Sequence, residues 1–138
     1  MSVDLKVEVD LKIPFFDIDA MGVVWHGHYA KYFEIARGAL MDKIGYGYLE
    51  MNKSGYFWPV VDVRIKYVKS IKLEQDIKII AELKEYENRM KIEYLICDSE
   101  TGDRLCKGHS IQVAVEQKTG EMCFQSPPIL FEKLGVAE

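Results

Sequence analysis

The sequence predicts an α+β fold in which one antiparallel five-stranded sheet curls around a single long helix. Three observations lead there. Five separate segments alternate apolar and polar residues with period two, one stretch has helical period, and the links between strands are too short for parallel crossovers. The chain has 138 residues, 49% hydrophobic and 29% charged. That suits one domain over 1–138 with a single core, which needs no disulfide or metal to fold.

The first segment sets the pattern. Val3, Leu5, Val7, Val9, Leu11 and Ile13 alternate with Asp4, Lys6, Glu8, Asp10 and Lys12, which is a strand with one buried face ended by Pro14. The period then changes. Tyr29, Tyr32, Phe33, Ala36, Leu40 and Ile44 follow helical spacing, giving a helix of about four turns that the glycines at 45 and 47 terminate. Its wide apolar stripe has to be covered. Alternation resumes at Val61–Tyr67, Ile77–Leu83, Met90–Ile96 and Leu105–Val115. The turns near Asn88, at 99–103 and at 117–120 make these four strands read as a meander. Near the C-terminus, S-P-P-I-L-F-E-K-L-G predicts a short helix with Ser126 as N-cap, a proline at its first position and Gly135 past its end.

Composition excludes several functions. A formal net charge of −4 gives no overall field toward nucleic acid. The three cysteines, Cys97, Cys106 and Cys123, form no C-x-x-C pair and read as reduced thiols. The charged N-terminus lacks the apolar core of a signal peptide, and no apolar run nears the ~20 residues of a membrane span. A cytoplasmic protein with no transmembrane segment is expected. An open five-stranded sheet leaves edges, so a homo-oligomer, dimer or tetramer, is expected to cover them.

Chemistry concentrates at the junction of the first strand and the helix. No G-x-S-x-G elbow, phosphate loop or dinucleotide fingerprint is present, and no cofactor is called for. Asp17 and Asp19 lie two apart, so in a continuing strand they point the same way. Gly22 and V-V-W-H-G-H-Y follow. This puts a carboxylate beside a helix start, where unpaired N–H groups can stabilise charge on a carbonyl oxygen. An ionised carboxylate can attack that carbonyl or deprotonate water. The commoner role for such an aspartate is simply to cap the helix.

The run F-F-D-I-D-A-M-G-V-V-W-H-G-H-Y-A-K-Y-F-E-I-A-R, Phe15 to Arg37, resembles the signature of the hotdog-fold thioesterases of the 4-hydroxybenzoyl-CoA thioesterase type. It is especially similar to bacterial acyl-CoA thioesterases encoded beside the Tol–Pal envelope system. The resemblance implies a hotdog fold and hydrolysis of an acyl-CoA or acyl-carrier thioester. It makes Asp19 the catalytic carboxylate and Asp17 a structural residue. It places the His26 backbone N–H near the thioester oxygen, with the imidazole orienting water or substrate. Gly22, Val23, Trp25 and His28 are implied in the oxyanion and substrate site. One departure stands out: His28 occupies a position that is usually asparagine, which bears on substrate choice more than on the reaction.

A CoA ester also needs a seat for its phosphates. Alternation puts Arg64 and Lys66 on one face, and Arg89 and Lys91 form a second basic pair; solvated surface charge is the simpler reading of each. His26 and His28, with Glu34 and His109, have the residue types of a metal site, yet a helix start splays residues two apart, so no metal is expected. Two rival functions are a hotdog dehydratase or hydratase, and a binding module for an acyl carrier protein without turnover. Trp58, Tyr56 and the methionines 41, 51 and 90 read as packing, and Phe57–Pro59 as a border of the acyl pocket.

Overall fold

Strand β1 (Lys6–Lys12) half-buries every second residue, as its alternation requires. A computed structural model describes residues 4–136; Val3, the first of the alternating apolar residues, lies outside the described residues. Helix α1 (Tyr29–Lys43) buries Tyr29, Tyr32, Phe33, Ala36, Leu40 and Met41. Gly45, at φ 76°, takes the left-handed conformation that ends it, and the Gly45 and Tyr46 N–H groups close on the carbonyls of Asp42 and Met41.

A second helix, α2 (Tyr48–Ser54), follows at once and was not legible in the sequence. Strand β2 (Tyr56–Phe57) comes next, then β3 (Val60–Tyr67), β4 (Asp76–Glu85), β5 (Met90–Asp98), β6 (Arg104–Gln112) and β7 (Val115–Glu116). Helix α3 (Pro128–Leu134) is one residue out of the expected phase. Its N-cap is Pro127 and its first residue Pro128, while Ser126 is buried with no partner for its hydroxyl among the described residues.

The main sheet runs β1-β4-β5-β6-β3, with every neighbour antiparallel. This corrects the expected four-strand meander. Only β4, β5 and β6 form one, because β1 has taken the outer side of β4 and β3 pairs with β6 at the far edge. Strands β2 and β7 make a separate two-stranded ribbon.

Helix α1 lies across one face of the sheet, the hotdog arrangement. Its Phe33 ring stacks on Tyr94 of β5 at 4.3 Å. Gly108 on β6 permits the close approach, since a Cβ there would collide with the Arg64 carbonyl oxygen and press on the Phe33 ring. Ile77, Ile79, Ile92 and Ile96 meet Tyr32 and Leu40 in the fully buried centre. Trp58 and Met90 also pack in this core, and the Trp58 indole donates to the Tyr46 hydroxyl at 3.0 Å. Cys106 is buried and free, with burial pushing its thiol up to about 12. It is an inert core group.

Candidate active site

The chain between β1 and α1 does not continue as a strand. Phe15–Asp17 form a 3₁₀ turn, so the two aspartates separate instead of sharing a face. Asp17 turns inward, 1% exposed. Its carboxylate accepts from Lys31 Nζ at 2.6 Å and from Tyr32 Oη at 2.7 Å, and the His28 imidazole Nε2 lies 3.9 Å away. Burial pushes this carboxyl up, but the Lys31 and Tyr32 hydrogen bonds and the Lys31 charge outweigh it and hold the pKa below the ordinary value. The same partnership, after burial, raises the Tyr32 hydroxyl.

Asp19 opens a tight turn. The Gly22 N–H donates to the Asp19 carbonyl at 3.1 Å, the Asp19 N–H to the Val23 carbonyl at 2.9 Å, and Gly22 sits at φ 79°, where glycine carries no steric penalty. Among the described residues the Asp19 carboxylate accepts only the Met21 N–H, at 2.8 Å. It does not cap α1. The N-cap of that helix is His28, and no side chain bonds there.

Asp19 instead faces a cleft of about 330 Å³ shared with Met21, Val23, His26, Tyr29 and Tyr67. His26–His28 form a 3₁₀ turn leading straight into α1. The donors around it sort themselves. The Gly22 N–H is spent on Asp19, the Val24 N–H on Ile71 and the Trp25 N–H on Asp17. Gly22 and Trp25 therefore drop out as backbone oxyanion donors. Among the described residues, the His26 and Gly27 N–H groups meet no acceptor. Sequence reasoning missed Gly27. The signal was its place between two histidines ahead of the helix, and the structure adds that a Cβ at Gly27 would run into the Trp25 indole.

The other expected site residues lie where the fold sends them. The rings of His26 and His28 both flank Trp25, at 5.2 and 5.3 Å between centroids. Among the described residues no three His, Cys, Asp or Glu side chains converge as a metal site. Arg64 and Lys66 line a depression of about 380 Å³ with Glu93, Lys107 and His109. By register that is the face of the sheet turned away from α1, and so away from Asp19. Arg89 and Lys91 both reach Glu85, at 3.4 and 3.8 Å.

Comparison with known proteins identifies the family. Residues 13–132 match the family described as the thioesterase-like superfamily, and the chain belongs to that family. It is 30% identical to a protein of Synechocystis provisionally named an esterase, over 92% of this chain and 77% of that one. It is 25% identical to one of Bacillus subtilis provisionally named an acyl-CoA thioesterase, over 90% and 86%. The solved DHNA-CoA thioesterase of Staphylococcus aureus superposes with a TM-score of 0.83 at 27% identity, over 94% of this chain and 89% of that one.

Proposed function

We propose that this protein hydrolyses acyl-CoA thioesters, with Asp19 as the working carboxylate. One observation carries the reading. Asp19 is half-buried, is not a helix cap, and shares a cleft with the turn that leads into a 15-residue helix, a turn whose His26 and Gly27 N–H groups meet no acceptor among the described residues. A thioester carbonyl placed over those donors gains stabilisation as its oxygen becomes negative. By one route Asp19 then attacks the carbonyl carbon, the C–S bond breaks, the CoA thiolate leaves and water hydrolyses the resulting anhydride. By the other it takes a proton from a water that attacks in its place and passes that proton to the departing thiolate. Both routes end in the free acid and the CoA thiol. The names of the Bacillus and Staphylococcus relatives support the CoA ester as substrate. Neither basic pair enters the proposal: Arg64 and Lys66 face away from the cleft, and Arg89 and Lys91 are held by Glu85.

The test is Asp19→Asn in a thiol-release assay with acetyl-, palmitoyl- and benzoyl-CoA. We expect kcat to fall by about two orders of magnitude or more with the melting temperature unchanged. Hydrolysis at the wild-type rate would remove Asp19 from the mechanism. Turnover of 3-hydroxyacyl esters by hydration, without thiol release, would move the site to the dehydratase class; capture of an acyl carrier protein without turnover would make it a binding module.

The site belongs to one domain over 1–138 that works in the cytoplasm as a homo-oligomer. No helix among the described residues is long and apolar enough to cross a membrane. Support for self-association comes from β3, an edge strand that exposes Val61 at 58% and Val63 at 45%.

A further inference from the structure

We infer that Tyr67 is a positioning residue for this reaction, setting the backbone donor at Gly27. The inference rests on the reading of the Asp19 cleft given above. Tyr67 stands at the end of β3, forty-one residues from the turn it touches, and its hydroxyl donates to the His26 carbonyl oxygen at 3.0 Å. That oxygen also accepts the Tyr29 N–H of the turn itself, so both of its lone pairs are used. The His26 carbonyl and the Gly27 N–H belong to one rigid, trans peptide group. Fixing the oxygen from the sheet side fixes the direction in which the N–H points, since the two bonds lie antiparallel in one plane.

The hydroxyl does more than hold. A hydrogen bond accepted by a carbonyl polarises its peptide group and strengthens the N–H at the other end as a donor. Tyr67 is itself held in place, its ring edge-on to Tyr29 at 4.7 Å and to His26 at 6.4 Å. Tyr29 is buried in the first turn of α1. The ring therefore registers the β3 edge against the helix start, while the hydroxyl reaches the second of the two peptides, His26–Gly27, whose N–H groups meet no acceptor among the described residues. A residue placed for packing alone needs only the ring.

Tyr67→Phe separates the two roles, since it keeps the ring and removes one oxygen. Loss of a whole oxyanion donor costs about 100-fold or more in kcat, so loosening one donor is expected to cost roughly tenfold. KM should stay within about twofold and the melting temperature near that of the wild type. A spectroscopic measurement reads the donor directly. In Asp19→Asn protein loaded with carbonyl-labelled benzoyl-CoA, adding Tyr67→Phe should raise the thioester carbonyl stretching frequency toward its value in water. An unchanged kcat and an unchanged frequency would overturn the inference. A raised KM with unchanged kcat would also overturn it, making Tyr67 a substrate contact. If Asp19→Asn itself hydrolyses at the wild-type rate, the reading of the cleft fails instead, which is a separate and distinguishable result.

Discussion

Asp17 and Asp19 show how much two residues of the same type can differ. Each is an aspartate in a five-residue run, yet one is 1% exposed and bonded to Lys31 and Tyr32, while the other opens into a cleft. The folded pKa of Asp17 lies below its ordinary value. Its contribution to stability is therefore fully present above the unfolded carboxylate value near ~4 and is lost as pH falls through the lower folded value. Asp17→Asn should cost about 2 kcal/mol in urea unfolding at neutral pH, because Lys31 and Tyr32 lose a charged acceptor. The gap between variant and wild type should close as pH drops below about 4. A gap that persists unchanged in acid would show that the carboxylate charge is not what matters. His28, the position that departs from the usual asparagine, sits 3.9 Å from the same carboxylate, which makes its imidazole part of the surroundings of Asp17.

Among the elements, α1 was fully legible. Its six apolar positions at helical spacing are buried in the structure, because a helix packed on one sheet has to bury one stripe. Helix α2 left no such trace, since none of its seven residues is buried. The β2–β7 ribbon is only two residues per strand, too short for any period to register. The α1–sheet contact turns on Gly108, and here a single methyl group is decisive. Gly108→Ala should destabilise the protein by about 1–3 kcal/mol, since neither the Arg64 backbone nor the stacked Phe33 ring can give way freely. Chemical unfolding measures it. A neutral substitution would mean that helix and sheet tolerate a wider separation than their stacked rings indicate.

At the scale of the molecule, the sheet ends in a strand that carries valines into solvent. Alternation over Val61–Tyr67 predicts one apolar face, but the structure leaves Val61, Val63 and Tyr67 about half exposed. A strand edge of that kind is normally paired or blunted by charge. Gel filtration at micromolar concentration should find an oligomer, and Val61→Lys with Val63→Lys should reduce it to a monomer. A wild-type monomer would leave the apolar edge without the partner argued for it.

The sequence by itself determined the α+β class, the long helix α1 and the approximate place of each long strand, except that the last was read on to Val115 whereas β6 ends at Gln112 and Val115 begins β7. Period and turn residues are local properties, and they act before any tertiary contact forms. Only the tertiary structure decided that β3 pairs with β6 instead of β4, because alternation says which face of a strand is buried and not which strand lies beside it. Only it decided which aspartate reaches the cleft. The 3₁₀ turn at Phe15–Asp17 is set by the partners that Asp17 finds on α1, fourteen and fifteen residues further on. The donor at Gly27 and the brace from Tyr67 belong to the same category. Both arise where the end of a sheet strand meets the start of a helix, and residues that meet across forty positions leave no spacing to read.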